Sequence, residues 1–189
     1  MSGYIVKLKN GSLTRLQKSI PLKILLTNTK VGRNTKALVA GVGERAIRHP
    51  KPMTSVFEAI DAVTVEAIGI LQSISEWETN RCDQEGKLEE LVEINQGLLQ
   101  SIGVSHPSID AICKTTLKYQ LRSKLTGAGG GGCVLTIIPD RILLRKKTLL
   151  LSFFPHFVVL MNLKMYVDCR YGHYHSLINS LRDNFQNLE

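Results

Sequence analysis

Residues 123–138 read SKLTGAGGGGCVLTII, and this stretch decides how the rest of the chain is interpreted. Its centre, GAGGGG from Gly127 to Gly132, is the most unusual segment of the sequence. Glycine has no Cβ, so such a backbone adopts positive φ values and approaches another backbone or a ligand closely. Successive unhindered amides also form a concavity that binds anions. The segment is therefore either a loop lining a phosphate or acidic-substrate site, or a flexible linker.

The flanking residues favour a folded loop. Cys133 to Ile138, CVLTII, is a β-rich apolar run that predicts a buried strand directly after the glycines. Linkers seldom run directly into core strands. The pattern is not a Walker loop, because no Gly-Lys-Ser/Thr follows, and not a Rossmann fingerprint, because a strand rather than a helix follows the glycines.

The residues before the glycines predict strands and then helices. Asn10-Gly11 is a hairpin signal behind the alternating Tyr4, Val6 and Leu8. The apolar run 24–26 predicts a buried strand that ends in the polar residues 27–29. We expect Asn34 or Thr35 to cap the helix that follows, and the prolines of His49-Pro50-Lys51-Pro52 to interrupt it.

Two apolar stripes and one cap predict three further helices. The first stripe comprises Val56, Ile60, Val63, Ala67 and Leu71. A polar loop is expected over residues 76–86, and the second stripe comprises Leu88, Leu91, Val92, Leu98 and Leu99. Gly103 is expected to end that helix and Ser108 to cap the next, whose apolar contacts are Ile109, Ile112 and Leu117. Beyond Ile138 the periodicity is hard to read, apart from a weak helical pattern over residues 180–189.

Charge and composition narrow the class of protein. Hydrophobic residues make up 43% of the 189, enough for a buried core, and the net charge of +8 is uneven: +10 over residues 1–52, −5 over 53–138 and +3 over 139–189. A basic face attracts phosphate, nucleic acid or an acidic membrane, but no nucleic-acid-binding motif accompanies the charge, so no nucleic-acid partner is expected.

No membrane partner, signal peptide or metal cluster is expected either. The apolar run 149–161 is shorter than the roughly 20 residues that span a bilayer. The N-terminus lacks an apolar signal-peptide core. The four cysteines (Cys82, Cys113, Cys133 and Cys169) form neither a CxxC pair nor a zinc knuckle, which indicates reduced thiols and a cytoplasmic protein. Cys169 with His173 and His175 is a weak alternative metal pattern.

Four separated segments carry a resemblance to a known family. The stretch KLTGAGGGGC resembles the third conserved motif of the GHMP kinases, and residues 24–30 with Arg33-Asn34-Thr35 resemble the segment that opens the C-terminal domain of mevalonate kinases. Asn95-Gln96 with Leu99, Gly103-Val104-Ser105-His106 and the helix around Asp110 resemble the same family. The resemblance covers roughly residues 2–138, and the four motifs occur in the family's order.

The resemblance implies a fold and a division of the chain. The fold class is α+β: a GHMP-kinase C-terminal domain, with an antiparallel ferredoxin-like sheet packed against helices, truncated and extended by an irregular tail. Residues 1–26 are expected to be strands belonging to a domain junction, residues 27–138 the C-terminal domain, and residues 139–189 a divergent tail of unknown structure.

The resemblance also implies an activity. Mevalonate kinases transfer the γ-phosphate of ATP to the 5-hydroxyl of mevalonate with Mg²⁺, in the cytoplasmic isoprenoid and sterol pathway, and the family is expected to form homodimers. The residues near substrate and phosphate are then Thr35, Gly127, Ala128, Gly129, Gly130 and Gly131. The family's ATP loop, catalytic aspartate, Mg²⁺ carboxylate and N-terminal lysine have no match here, so no catalytic residue is expected in this chain and the chain alone is expected to be inactive.

Other interpretations remain open from the sequence. The chain is alternatively a non-catalytic product that binds a full-length partner, or a basic binding module. Lys124 either meets a phosphate or is a solvated or ion-paired lysine. His106 is either a ligand or base, or a structural or exposed residue. Thr35 is expected to combine a capping role with a place at the site.

Overall fold

The computed structural model describes residues 6–9, 12–16, 22–73, 81–140, 159–163 and 166–168. The helices within these ranges are α1 (Thr35–Arg48), α2 (Pro50–Ser73), α3 (Arg81–Ser101) and α4 (Pro107–Leu117). The strands are β1 (Val6–Lys9), β2 (Ser12–Arg15), β3 (Leu22–Asn28), β4 (Ser123–Leu125), β5 (Cys133–Ile137), β6 (Val159–Leu163) and β7 (Tyr166–Asp168).

The main sheet has the strand order β4-β5-β3-β6, and every neighbouring pair is antiparallel. In its central pair, Ile24 lies opposite Ile137 and Leu26 opposite Leu135. Apolar residues 24–26 therefore form a buried strand, as predicted, and the antiparallel sheet with its helices confirms the α+β class. The domain boundary expected between residues 26 and 27 cuts β3, because the whole of Leu22–Asn28 belongs to this sheet.

A second, smaller sheet has the order β2-β1-β7. Strands β1 and β2 pair antiparallel, as the predicted hairpin requires, although Asn10 and Gly11 lie outside the described residues. The described parts of the tail are strands rather than irregular: β6 pairs with β3 and β7 pairs parallel with β1. The helix predicted over residues 180–189 and the possible metal pattern at Cys169, His173 and His175 lie outside the described residues.

The start of α1 and its break from α2 follow the predictions. The Asn34 side chain accepts a hydrogen bond from the amide of Ala37 at 3.0 Å, so Asn34 rather than Thr35 is the N-cap. A single residue, His49, separates the two helices. Pro50 and Pro52 occupy the first turn of α2, where a missing amide hydrogen removes no intrahelical bond.

Three local predictions were wrong. Residues 81–86 belong to α3 rather than to a loop, and an ion pair of 3.1 Å between Arg81 and Glu85 stabilises this polar first turn. The N-cap of α4 is His106 rather than Ser108: His106 Nδ1 accepts from the Ser108 amide at 3.2 Å, and Pro107 follows. Leu117 is 46% exposed and is not an apolar contact, whereas Ile109 is fully buried.

Buried apolar side chains form two clusters. The first joins the main sheet to α2 and α3, and its members are Leu16, Leu22, Ile24, Ile68, Ile70, Leu71, Leu88, Leu91, Val92 and Ile137. The second joins the sheet to all four helices and the turn after α3, and its members are Val42, Met53, Leu99, Ile102, Val104, Ile109, Leu125 and Val134. None of the helices described here has both the length and the apolar character needed to cross a bilayer.

Candidate functional site

The segment Gly127–Gly132 is a loop whose backbone only glycine adopts readily. Five of its six residues have positive φ: Gly127 (69°), Gly129 (84°), Gly130 (68°), Gly131 (138°) and Gly132 (74°). The remaining residue, Ala128, is 6% exposed. The loop connects the antiparallel strands β4 and β5 of the main sheet.

Backbone contacts fix this loop on two sides. The Gly130 amide donates to the carbonyl oxygen of Val104 at 2.8 Å, and the Gly132 amide donates to that of Val31 at 3.3 Å. The Gly132 carbonyl in turn accepts from the Thr29 amide at 2.8 Å. A Cβ on Gly131 would lie 2.7 Å from the Val31 carbonyl oxygen, closer than real Cβ atoms approach. The glycines therefore form a folded loop and not a flexible linker.

The loop also packs on the start of α1, which contains the predicted site residue Thr35. A Cβ on Gly130 would lie 2.6 Å from Cδ1 of Leu38, which follows Thr35 by one helical turn. Thr35 is the first residue of α1 and is partly exposed. The structure thus brings the glycine loop and the first turn of α1 together.

Arg33 lies against both ends of the loop and was not among the predicted site residues. Its Nη1 would be 3.0 Å from a Cβ on Gly127 and 2.8 Å from one on Gly132. Its positive charge lowers the pKa of the neighbouring Cys133, but burial has the larger effect and raises that pKa. Arg33 forms no ion pair with any residue that the structure describes. The sequence signal was the position of Arg33 two residues before Thr35 in the motif.

Lys124 is partly buried rather than fully solvated, and its contact with a phosphate remains a prediction. Its Nζ donates to the carbonyl oxygen of Leu125 at 3.0 Å, and no acidic partner is present among the described residues. Burial lowers the pKa of Lys124 to about 8, against a smaller opposing effect of Cys113. Burial, with a contribution from Asp110, raises the pKa of Cys113 to about 11. The interior behind the loop therefore disfavours both charged forms.

A partly buried polar network holds the strand that enters the loop. Gln96 accepts a hydrogen bond from the Leu125 amide at 2.8 Å and donates to Ser105 Oγ at 3.3 Å. Ser105 donates to Asp110 at 2.7 Å, and Gln100 donates to the same Asp110 oxygen at 2.7 Å. Gln96, Ser105 and Asp110 belong to the motifs that carried the family resemblance, and the network joins α3, α4 and β4.

An open cleft of about 470 Å³ adjoins the loop between α1 and the turn after α3. Its lining includes Asn34, Leu38, Gly130 and His106. His106 Nδ1 accepts a hydrogen bond from the Ser108 amide in the cap of α4, so this nitrogen has a structural role. Among residues of the described ranges, no three His, Cys, Asp or Glu side chains cluster as a metal site would require.

Comparison with known proteins identifies the class. Residues 84–145 match the family described as GHMP kinases C terminal. The fold is similar to the Leishmania major mevalonate kinase solved with R-mevalonate (TM-score 0.63, 18% identity), over 82% of this chain and 47% of that one. It is also similar to the Methanococcus jannaschii mevalonate kinase (TM-score 0.60, 23% identity), over 82% of this chain and 44% of that one. Residues 84–145 thus match the C-terminal domain of the GHMP kinases, and the chain shares the fold of these solved structures.

The sequence relatives compared here are mevalonate kinases. The chain is 56% identical over 137 residues to the mevalonate kinase of Arabidopsis thaliana, covering 72% of this chain and 36% of that protein. It is 43% identical over 136 residues to the human mevalonate kinase, covering 72% of this chain and 34% of that protein. The chain is thus similar in sequence to mevalonate kinases, and it spans about a third of the length of these relatives.

Proposed function

We propose that this chain supplies the glycine-loop wall of a site that transfers the γ-phosphate of ATP to mevalonate. The observation that carries the proposal is the position of Arg33, whose guanidinium lies over both ends of a folded glycine loop without an acidic partner among the described residues. Phosphoryl transfer depends on positioning and on neutralising the charge of the transferred group, and an unpaired guanidinium beside backbone amides suits that task.

The loop amides have distinct roles in this proposal. Those of Gly130 and Gly132 are occupied by backbone carbonyls. Those of Gly127, Ala128, Gly129 and Gly131 have no backbone acceptor among the described residues. These four amides are the candidates that face substrate or phosphate, so Gly130 contributes by shape rather than as a donor.

Two predicted site residues complete the wall. Thr35 offers a hydroxyl in the first turn of α1, the turn that contacts the loop through Leu38, for hydrogen bonding to the reacting groups. Ala128 offers a small apolar surface in the middle of the loop, against which the mevalonate carbon chain packs. Larger side chains at this buried position would narrow the pocket.

The remaining machinery is proposed to lie outside residues 1–189. The metal ligands, the base and the loop that binds ATP would come from elsewhere, because the family motifs that carry them have no match in this sequence. When bound, Mg²⁺ would neutralise phosphate charge. We further propose a homodimer and a place in cytoplasmic isoprenoid and sterol biosynthesis, on the basis of the relatives alone.

Incubation of the purified chain with ATP, Mg²⁺ and mevalonate tests this division of labour. We expect no phosphomevalonate, because the nucleophile and metal ions are not positioned. Turnover by the chain alone would contradict it. The same chain mixed with a full-length mevalonate kinase and analysed by size-exclusion chromatography tests the alternative function, binding to a full-length partner.

The role of Arg33 is tested in a chimera in which residues 2–138 replace the matching segment of the Arabidopsis thaliana relative. Arg33→Ala is expected to lower kcat/KM by about a hundredfold, the typical effect of removing one donor from a charged transition state. Arg33→Lys should recover part of this loss. Arg122→Ala, which removes a guanidinium paired with Glu93, is the matched control and should change kcat/KM less than about twofold. Equal effects of Arg33→Ala and Arg122→Ala would reject the role of Arg33.

A further inference from the structure

Arg45, in the last turn of α1, makes two contacts with the turn that follows α3. Its Nη1 donates to the carbonyl oxygen of Ser101 at 2.9 Å, across 56 residues of sequence. Its guanidinium also lies against Gly103, because a Cβ there would be 2.7 Å from Nη2 and 3.0 Å from Cζ. Ser101 is the last residue of α3, so a cation at this carbonyl also opposes the negative end of the helix dipole.

The same turn ends at Val104, whose backbone contacts the glycine loop. Gly103 has a φ of 85° and reverses the chain after α3, which brings Val104 back under the helix end. The Val104 carbonyl then accepts from the Gly130 amide at 2.8 Å. Only Ile102 and Gly103 separate the carbonyl held by Arg45 from the residue that holds the loop.

Helix α1, the Ser101–Val104 turn and the glycine loop each contact the other two. The first half of α1 contacts the loop directly, through Leu38 against Gly130. The last turn of α1 contacts the Ser101–Val104 turn through Arg45, and that turn contacts the loop through Val104. The position of the Val104 carbonyl relative to Gly130 thus depends on both ends of one helix.

We propose that Arg45 is a positioning residue for the glycine loop: it fixes the Ser101–Val104 turn and thereby keeps the Gly130 amide bonded to Val104. The importance of Arg45 for catalysis rests on the proposed function. The coupling between Arg45 and the Gly130 hydrogen bond is a property of this chain by itself. Arg48 lies three residues after Arg45 in α1 and has no such role. Its ion pair of 3.7 Å is with Glu44 of the same helix.

Amide hydrogen exchange on the full chain, followed by NMR at Gly130, tests the coupling. Arg45→Ala is expected to speed exchange at Gly130 by about fivefold, the effect of losing one hydrogen bond. The buried α3 residue Leu91 is the reference for global opening and should change less than about twofold. Arg45→Lys should fall between wild type and Arg45→Ala, and the control Arg48→Ala should match wild type.

Gly103→Ala tests the contact from its other side. Its methyl group would displace the Arg45 guanidinium without removing it, and an alanine at a φ of 85° would also strain the turn by itself, so exchange at Gly130 should again quicken. If both substitutions act through one contact, the double variant should show less than the product of the two single effects. If Arg45→Ala does not fold, the same cycle is run with Arg45→Lys and Gly103→Ala.

Two results would overturn the proposal. One is an unchanged exchange rate at Gly130 in Arg45→Lys and in a folded Arg45→Ala. The other is an equal acceleration at Gly130 and Leu91, which would indicate general destabilisation. Because exchange is read without substrate, it is independent of turnover in the chimera: an inactive chimera counts against the proposed function and leaves the coupling intact.

Discussion

The backbone of Gly129 packs directly against the carbonyl group of Val104. A Cβ on Gly129 would overlap the Val104 carbonyl oxygen and lie 2.9 Å from its carbonyl carbon. Both atoms belong to a backbone that is hydrogen-bonded to Gly130, so neither can move away at low cost. The glycine at this position is therefore required by the approach of two backbones as well as by its φ of 84°.

Gly129→Ala is accordingly expected to destabilise the chain by about 1–3 kcal/mol, from left-handed strain and backbone overlap. Urea unfolding followed by circular dichroism measures the change. Gly69→Ala in α2 is the matched control: a Cβ there meets nothing within 4 Å, and the helix gains up to about 1 kcal/mol. Equal stabilities of the two variants would mean that the loop is not packed as described.

Lys124 should make stability depend on pH. Since its pKa falls from 10.5 in the unfolded chain to about 8 in the fold, the unfolded chain binds more protons between these values. The free energy of unfolding contributed by Lys124 therefore rises from pH 8 to pH 10.5 and is constant below pH 8. Relative to Lys124→Met, the wild type should gain about 1–3 kcal/mol over this window. A difference that stays constant with pH would contradict the burial of this ammonium.

The cysteines should differ in reactivity. Cys82 is exposed, whereas burial raises the pKa of both Cys113 and Cys133 and keeps them as thiols near neutral pH. In a Cys169→Ser background, iodoacetamide at pH 8 should label Cys82 first, and Cys113 at least about a hundredfold more slowly. Mass spectrometry of the digested protein measures the order. Unfolding in urea should equalise the rates, and rapid labelling of Cys113 in the native chain would count against the fold.

Asp140 joins the strand β3 to the start of α3. Its two carboxylate oxygens pair with Lys23 at 2.6 Å and Arg81 at 2.8 Å, and its amide donates to Glu85 at 3.1 Å. Asp140→Ala leaves two cations facing each other and should cost about 1–2 kcal/mol, less at high salt because the group is partly exposed. Glu44→Ala, which breaks an exposed pair, should cost less than about 0.5 kcal/mol. A smaller loss for Asp140→Ala than for Glu44→Ala would show that this network is not formed.

Features set by local pattern were predictable from the sequence. The strand of β3, the cap at Asn34 and the break before Pro50 each follow from the periodicity or backbone chemistry of adjacent residues. The glycine loop was predictable because six small residues before a buried strand leave few alternatives. The placement of substrate at Thr35 and Gly127–Gly131 remains a prediction.

Other features depend on contacts between distant residues. The direction of the Arg33 side chain over the loop depends on how β3 and β5 pair, which no local pattern reports. The polar start of α3 shows no apolar stripe, so its helical residues 81–86 resemble a loop. The cap at His106 uses a side chain outside the usual capping set. The pairing of β6 with β3 joins residues more than a hundred positions apart.

The central claim is that this domain can complete a site that phosphorylates mevalonate. ATP-dependent formation of phosphomevalonate by the chimera carrying residues 2–138 tests it most directly. We expect turnover within about tenfold of the Arabidopsis thaliana parent, the range set by small displacements of positioned groups. A chimera that unfolds cooperatively like its parent but forms no phosphomevalonate would contradict the claim.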